Sequence, residues 1–390
     1  MIVFDVLLVV LLVVATLIGL QRGFFASLGS FAGLLAGGIA AYWLMPIVGD
    51  LVPAAEWRTV AVIGAGAVLL VIGTAIGGAI GRAVRGGVDR IKLRVPERML
   101  GGALSLVAAA LAMSFVGNAV ATMGIPFLST AVANSSVLRT IDDLTPAPVR
   151  GAIAQARGIV LDQGIPQLGI LLELTPTDQA PQVALDDAAL QAAAQSVARV
   201  SGVAYACGTA ATGSGFAIAA DLIVTNAHVV AGVETPLVEL PGRAAQEGRI
   251  VYFDAADDLA VIAVDGLDAV ALPIAAPLPT GSSAAVQGYP YGGPLTSGTA
   301  YVLTVAQMQV EDVYGQTSSA REVYALQAVV RPGNSGGPVL TTDGEVAGVV
   351  FARAEDDDDL GYAMTTTELM PILAQTGSLT DTVSSGACTS

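Results

Sequence analysis

Residues 222–230 read LIVTNAHVV, and His228 within them is the only histidine among the 390 residues of the chain. Branched apolar residues and a threonine lead into it, which predicts a buried β-strand that ends near the histidine. An imidazole exchanges its proton close to neutral pH, so this histidine is either a packed structural residue or a proton acceptor. The motifs that accompany it in the rest of the chain decide between the two.

Short apolar runs separated by glycine and proline turns continue on both sides of this strand. The runs are GFAIAA (215–220), LIVTNA (222–227), RIVYF (249–253), LAVIAV (259–264), SAAVQGY (283–289), VYALQAVV (323–330) and EVAGVVFA (345–352). Several short strands at this spacing are typical of an all-β sandwich or barrel. We therefore predict an all-β domain over residues 190–390.

Two further motifs supply chemical partners for His228. Asp258 opens DLAV, 30 positions after the histidine, and Ser335 lies in PGNSGGP, 107 positions after it. A serine hydroxyl needs a base to accept its proton during attack, and a carboxylate on the other ring nitrogen orients that base. The order His, Asp, Ser therefore predicts a serine-hydrolase triad, with Asp257 as the alternative carboxylate. Taken singly, the histidine fits a structural role and the glycine-rich motif fits an ordinary turn.

The glycines around Ser335 predict a tight turn whose backbone N–H groups point toward the substrate. We expect Gly333 and Ser335 to donate these amides to the oxyanion that forms during acyl transfer. This chemistry requires neither a metal nor a cofactor, and none is predicted.

The first third of the chain has a different composition, because it is dominated by four apolar runs. They cover residues 2–20, 24–48, 59–81 and 99–123. Each is long enough to cross a bilayer core, which takes about 20 helical residues. The first run lacks a basic leader and a small-residue cleavage site, so it is not expected to be a cleaved signal peptide. Residues 1–123 are predicted to form a four-span transmembrane domain.

Basic residues between the runs predict the orientation of these spans. Arg22 follows the first run, and six basic residues lie between the third and fourth: Arg82, Arg85, Arg90, Lys92, Arg94 and Arg98. The positive-inside rule places both basic loops in the cytoplasm. Trp43 and Trp57 flank the loop expected outside. Everything after the fourth run is then extracytoplasmic or periplasmic.

Glycines repeat every fourth residue on the second and third runs. They are Gly29, Gly33 and Gly37, then Gly73, Gly77 and Gly81. Small residues on one helix face allow two backbones to approach closely, either within the bundle or between two copies of the chain. No ionisable residue lies in the middle of a run, so the sequence offers little support for an ion pathway.

Residues 124–189 are predicted to be a partly helical linker. Residues 135–157 have weak helical character, interrupted by Pro146 and Pro148, whereas residues 164–181 are rich in proline, threonine and glycine. A second helix is predicted to begin at Asp186, where an N-cap residue precedes an alanine-rich stretch.

The charge balance excludes one class of function. Residues 101–390 hold nine of the 17 basic residues and 28 of the 33 acidic residues, a net charge of −19. Nucleic-acid binding needs clustered lysine and arginine, so nucleic acid is not an expected partner. The acidic run EDDDD (355–359) is expected to be a solvated loop. Alternatively, its negative charge attracts basic segments of the substrate.

The motifs TNAHVV, DLAV and GNSGGP resemble those of the trypsin-like, chymotrypsin-fold serine proteases, especially the HtrA/Deg-like branch. With four spans ahead of that domain, the whole chain is similar to the membrane-anchored periplasmic serine proteases of actinobacteria. Its membrane region resembles the colicin V production protein family. This resemblance implies an N-terminal four-helix transmembrane bundle and a C-terminal double β-barrel of six strands each. It also implies a serine endopeptidase that acts on proteins or peptides, with itself as a candidate substrate and other membrane proteins as candidate partners.

The same resemblance assigns the specificity pocket. The residue six positions before the nucleophile lies at the base of the pocket in this family, and here it is Val329, with residues 349–352 as a wall. We therefore expect cleavage after apolar or small side chains. Only 55 residues follow Ser335, which is too few for a PDZ domain after the last strands. The alternative function is a catalytically silent β-barrel that binds proteins or regulates a membrane transporter or platform.

Cys207 and Cys388 are the only cysteines. Both are expected outside the membrane, where disulfides persist, so they are predicted to pair and tie the C-terminal tail to the start of the barrel domain. Two free thiols are the alternative.

Overall fold

The computed structural model describes residues 2–51, 55–88, 94–121, 132, 135–161, 165–168, 183–204 and 209–389. The chain divides into two compact units. The first comprises Met1–Val116 with Ser135–Ile141, and the second comprises Gly117–Asn134 with Asp142–Ser390.

Four long helices account for most of the first unit. They are α1 (Ile2–Arg22), α2 (Phe24–Leu51), α3 (Ala55–Val88) and α4 (Arg94–Ala121). Each contains a segment long and apolar enough to cross a membrane: Phe4–Arg22, Phe24–Ala41, Gly64–Val84 and Val95–Gly117. The prediction of four apolar spanning helices is confirmed in length and composition.

The glycine repeats bring α2 and α3 into backbone contact. A methyl group built on Gly33 would lie 2.0 Å from the carbonyl oxygen of Gly73, and one on Gly77 would lie 2.0 Å from that of Gly29. No side chain fits at such a separation, so glycine is required at these four positions. The repeats pack within the bundle, as the first of the two predicted alternatives states.

The stretch between the membrane helices and the barrels is partly helical. It contains α5 (Ser136–Leu144), α6 (Ala147–Leu161), strand β1 (Gln167–Leu168) and α7 (Ala188–Ala194). The side chain of Asp187, rather than the predicted Asp186, caps α7 by accepting a hydrogen bond of 2.8 Å from the Ala189 amide. Most of the rest of the predicted linker lies outside the described residues.

The remainder of the second unit consists of two sheets. The strands of the first sheet are β2 (Val197–Ala204), β3 (Thr209–Ala219), β4 (Leu222–Thr225), β5 (Leu237–Glu239), β6 (Gln246–Glu247), β7 (Arg249–Asp254) and β8 (Leu259–Ala263). Those of the second sheet, besides β1, are β9 (Ser283–Gly288), β10 (Thr296–Glu311), β11 (Ser318–Gln327), β12 (Pro338–Leu340), β13 (Val346–Ala354) and β14 (Leu360–Thr365). Short helices α8 (Ala227–Val230) and α9 (Thr366–Leu373) follow β4 and β14.

Each sheet is built from six strands and one two-residue edge strand. The first has the order β6-β5-β2-β3-β4-β8-β7, and the second has the order β1-β13-β12-β9-β10-β11-β14. An additional pairing of β13 with β14 closes the second sheet into a barrel of six strands, outside which β1 pairs with β13. The predicted combination of an apolar helical region with a trypsin-like double β-domain is therefore confirmed.

Alternating side chains of the central strands enter different hydrophobic clusters. On β8, Leu259 and Val261 join the cluster shared by the two sheets, whereas Ala260 and Ile262 face the interior of the first sheet. The side-chain period of a strand is two residues, so a strand buried on both faces is apolar throughout. This is why LAVIAV has no polar residue.

Candidate active site

His228 lies in the short helix α8, directly after β4, and its ring pairs with the carboxylate of Asp258. Its ring atom Nδ1 lies 2.8 Å from Oδ2 and 3.0 Å from Oδ1 of Asp258. The backbone amide of His228 also donates to Oδ1 of Asp258, at 2.9 Å. Both side chains are largely buried, with exposed fractions of 14% for His228 and 6% for Asp258. A carboxylate on Nδ1 keeps the ring proton on that nitrogen, which leaves Nε2 to accept a proton.

Asp258 has a backbone conformation that is unusual for a residue other than glycine. Its φ is 54°, in the left-handed region, and its carbonyl oxygen accepts a 2.8 Å hydrogen bond from the side chain of Asn226. Such backbone strain persists where surrounding contacts fix it, and it concentrates at functional sites. In the described residues Asp257, the alternative carboxylate, makes no hydrogen bond to the ring, and it lies 4.0 Å from the guanidinium of Arg321. The structure therefore brings Asp258, and not Asp257, to His228.

The turn that carries Ser335 joins β11 to β12, and its residues 333–337 are buried. It is held to β13 by two hydrogen bonds. The Gly336 amide donates to the Val350 carbonyl at 2.8 Å, and the Val350 amide donates to the Gly337 carbonyl at 2.9 Å. Gly336 has a φ of 80°, and a methyl group there would lie 2.2 Å from the carbonyl oxygen of Ser214. The second glycine of GNSGGP is thus required by both conformation and space.

Gly333 opens the same turn with a φ of 93°, and a methyl group there would lie 2.3 Å from the carbonyl oxygen of Tyr289. Within the described part of the chain, neither the Gly333 amide nor the Ser335 amide donates to a protein acceptor. Both residues are buried. Buried N–H groups are nearly always paired, so these two amides fit the donors that the predicted oxyanion site requires.

Ser214, on β3, connects the serine turn to the histidine strand and was not singled out from the sequence. Its amide donates to the Ser335 carbonyl at 2.7 Å, and its hydroxyl donates to the Gly333 carbonyl at 2.6 Å. Its own carbonyl accepts from the hydroxyl of Thr225, three residues before His228, at 2.7 Å. A serine flanked by two glycines inside an apolar strand is the only sequence signal of this role.

The Ser335 hydroxyl and the His228 ring are not hydrogen-bonded to each other in the described residues. The segments that carry them nevertheless border the same small residue, because a methyl group on Gly213 would lie 2.6 Å from the Val229 side chain and 3.0 Å from the carbonyl oxygen of Ser335. Nucleophile–base contacts in enzymes without substrate are often long and shorten only in the reactive complex. The predicted nucleophile and base therefore lie on neighbouring segments.

The predicted pocket residues differ in exposure. Val329 is 51% exposed, whereas the next residue, Val330, and the whole predicted wall of residues 349–352 are buried. These exposures do not bear on which substrate side chain binds here, so the specificity pocket at Val329 stays a prediction.

The acidic run of residues 355–359 is partly neutralised by two arginines that flank the site. Asp358 pairs with Arg353 at 2.6 Å and with Arg331 at 3.8 Å. Arg331 lies in the serine turn, and its amide donates to the side chain of Asn334 at 3.0 Å. In the described residues, no group of three or more His, Cys, Asp or Glu side chains is arranged to hold a metal ion.

The C-terminal tail contacts the loop that follows His228. The Gly232 amide donates to the Ser385 carbonyl at 3.1 Å, and a methyl group on Gly232 would lie 2.6 Å from Sγ of Cys388. Cys388 is disulfide-bonded. Its predicted partner, Cys207, lies outside the described residues, so the pairing stays a prediction.

A double β-barrel with a buried His–Asp pair, a glycine-rich serine turn and two free amides defines a serine protease of the trypsin-like class. The family model described as the trypsin-like peptidase domain matches residues 213–349, and that of the colicin V production protein matches residues 4–146.

Serine protease Rv3671c of Mycobacterium tuberculosis is 31% identical to this chain over 392 residues, which cover 99% of this chain and 98% of that protein. The crystal structure of the active form of the Rv3671c protease matches with 34% identity and a TM-score of 0.51, over 56% of this chain and all of that one. Putative serine protease HhoB of Synechocystis is 34% identical over 39% of this chain. The chain therefore belongs to the family of serine proteases that includes Rv3671c. It is an enzyme, and its substrates are proteins or peptides.

Proposed function

We propose that this protease is a membrane-anchored extracytoplasmic endopeptidase with His228, Asp258 and Ser335 as its catalytic triad. The observation that carries the proposal is the contact of both Asp258 carboxylate oxygens with Nδ1 of the only histidine. In this mechanism Nε2 accepts the Ser335 proton while Oγ attacks the peptide carbonyl, and the imidazolium then protonates the leaving amine. The Gly333 and Ser335 amides stabilise the tetrahedral oxyanion, and water hydrolyses the acyl-enzyme.

An activity-based fluorophosphonate probe tests the triad directly. The wild type is labelled on Ser335, whereas Ser335→Ala is not labelled, and His228→Ala is labelled far more slowly. Ser378→Ala, at an exposed serine of the same unit, serves as the control and keeps the wild-type labelling. Wild-type labelling of His228→Ala contradicts the proposal.

The proposed substrate preference is for apolar or small side chains immediately before the cleaved bond, with Val329 at the pocket. No carboxylate occupies that position, so a basic side chain has no counter-charge there. Hydrophobic pockets discriminate by only about 1–3 kcal/mol per methylene, which implies a broad preference. A peptide library cut mainly after arginine or lysine contradicts this assignment.

The proposed topology places the N-terminus and the protease domain on the outer side. Its basis is Arg22 at the end of α1, together with the six basic residues between the third and fourth apolar runs. A membrane-impermeant maleimide applied to intact cells is expected to label Ser378→Cys but not Gln21→Cys, which lies in the last turn of α1. Labelling of Gln21→Cys alone reverses the orientation.

A further inference from the structure

The strand β11 carries a fully buried arginine that the proposed chemistry does not use. Only 1% of the Arg321 side-chain surface is exposed, and Arg321 is the largest of the fully buried side chains in the described residues. Its guanidinium carbon lies 6.0 Å from the ring centre of Phe351. An arginine is almost never buried without partners, because desolvation of its charge is costly. The partners of Arg321 therefore indicate its role.

Those partners belong to the loop that ends in Asp258. The Nη2 atom of Arg321 donates to the carbonyl oxygen of Ala256 at 2.5 Å and to that of Glu311 at 3.0 Å. The hydroxyl of Ser319 donates to the same Ala256 carbonyl at 3.0 Å. One carbonyl, two residues before the proposed catalytic carboxylate, thus accepts hydrogen bonds from two side chains of β11.

A third contact holds the neighbouring residue of that loop. The amide of Val313, at the tip of the β10–β11 hairpin, donates to the carbonyl of Ala255 at 3.1 Å. Nε of Arg321 also lies 4.0 Å from a carboxylate oxygen of Asp257. The second barrel therefore fixes residues 255–257, whereas Asp258 and His228 belong to the first.

The charge of Arg321 also attracts the loop that ends in Asp258. Burial lowers the pKa of Arg321, and the carboxylates of Asp258, Asp257, Glu368 and Asp254 raise it again, with Asp258 the strongest of the four. The guanidinium retains its charge at any pH at which the protein folds. Its positive charge attracts the Asp258 carboxylate while its hydrogen bonds hold the preceding backbone.

We propose that Arg321 is a positioning residue, which holds the loop of residues 255–258 so that the Asp258 carboxylate stays on Nδ1 of His228. The proposal rests on the proposed triad. Asp258 is strained at a φ of 54°, and a strained conformation relaxes when the contacts that fix it are removed. Loss of Arg321 therefore lets the carboxylate move from the ring.

The test uses the full-length protease in detergent, purified through a tag without histidine. Arg321→Gln is expected to lower kcat about 100-fold, because a catalytic group displaced by about 1 Å loses that much rate, with KM changed far less. Arg321→Lys keeps the charge and one donor, and is expected to recover part of the loss. Arg249→Gln, which removes a half-exposed arginine paired with Asp265, is the matched control and keeps the wild-type kcat.

Selective ¹⁵N-histidine labelling supplies a readout independent of turnover, because the chain has one imidazole. The two ring-nitrogen resonances report whether the proton stays on Nδ1. Arg321→Gln is expected to shift them from the wild-type positions, and Arg249→Gln is not. Wild-type kcat, or unchanged ring resonances, in folded Arg321→Gln overturns the proposal.

A second variant covers the case in which Arg321→Gln does not fold. Ser319→Ala removes only one of the two donors to the Ala256 carbonyl, so a severalfold loss of kcat with an unchanged melting temperature supports the proposal, and an unchanged kcat overturns it. Failure of the triad itself has a different signature, since His228→Ala would then keep wild-type turnover.

Discussion

The carboxylate of Asp258 is bound to His228 through two different groups, the ring atom Nδ1 at 2.8 Å and the backbone amide at 2.9 Å. The second contact fixes the carboxylate relative to the helix that carries the ring. A rotation of either side chain alone therefore breaks a hydrogen bond, and the pair behaves as one rigid unit.

Asp258→Asn tests this pair. An amide nitrogen facing Nδ1 favours the wrong ring tautomer, so kcat is expected to fall by about 10⁴, as for the same change in other triads. Asp257→Asn is the matched control and is expected to change kcat less than about fivefold, because a partly exposed ion pair contributes about 1 kcal/mol or less. Hydrolysis of a fluorogenic peptide measures both, and equal losses in the two variants contradict the assignment of Asp258.

Gly333→Ala tests the oxyanion site. The added methyl group would lie 2.3 Å from the Tyr289 carbonyl at a φ of 93°, so the turn must shift and its amide leaves the oxyanion. Loss of one such donor lowers kcat by about 10²–10³. The control is Gly242→Ala, where φ is 69° but no atom lies within 4 Å of the new methyl group. It is expected to cost about 1–2 kcal/mol of unfolding free energy and no kcat.

Ser214→Ala tests the connection between the serine turn and the histidine strand. The hydroxyl donates to the Gly333 carbonyl and accepts from the Tyr289 amide at 2.9 Å. Its removal leaves both buried groups unpaired, at a cost of about 1–3 kcal/mol each. We expect a lower melting temperature by calorimetry together with a lower kcat. A loss of stability without any loss of activity would show that Ser214 acts only in folding.

Asp312→Asn tests the hairpin tip that contacts the Asp258 loop. Hydrogen bonds from the Gln316 amide, the Thr317 hydroxyl and the Tyr314 and Thr317 amides lower the pKa of Asp312 to about 2. The folded-state pKa lies below the unfolded value, so the stabilisation is present above pH 4 and is lost as the pH falls from 4 toward 2. The melting temperatures of wild type and variant should therefore differ at pH 7 and converge as the pH approaches about 2. A constant difference contradicts this origin.

Truncation tests the proposed domain boundary at residue 190. Pro166 and Leu168 accept hydrogen bonds from the amides of Arg353 and Glu355, at 3.1 and 3.2 Å, and Ile165 is 4% exposed. A fragment starting at residue 190 loses these bonds and about 1.5–3 kcal/mol from the isoleucine. It is expected to melt at a lower temperature than a fragment starting at residue 160. Equal melting temperatures would place the stable boundary near residue 190.

Short strands made mostly of apolar residues were predictable from the sequence. The runs predicted at 249–253, 259–264 and 283–289 end within one residue of β7, β8 and β9. The long strand β10 was missed, because it mixes threonine, serine and glutamine with apolar residues and is buried on only part of its length. Strand β1 was missed because two residues have no periodicity, and only their pairing with β13 makes them a strand.

The residues of the site also divide into those that the sequence predicts and those that it does not. Sequence motifs indicated His228, Asp258 and Ser335, because each residue type is tied to its chemistry. Ser214 and Arg321 act through groups far along the chain, so local sequence carries little information about them. An arginine within a strand ordinarily faces solvent. Only its hydrogen bonds to the carbonyls of Ala256 and Glu311 show that Arg321 is enclosed.

Ser214 also limits how such an enzyme can be recombined. It lies on a strand of the first sheet, yet two of its partners, Gly333 and Tyr289, come from the segments of the second. A chimera that takes one half from this chain and the other from a distant homologue inherits only one side of these hydrogen bonds. The two halves must therefore diverge in step, and a successful swap has to carry both sides of that junction together.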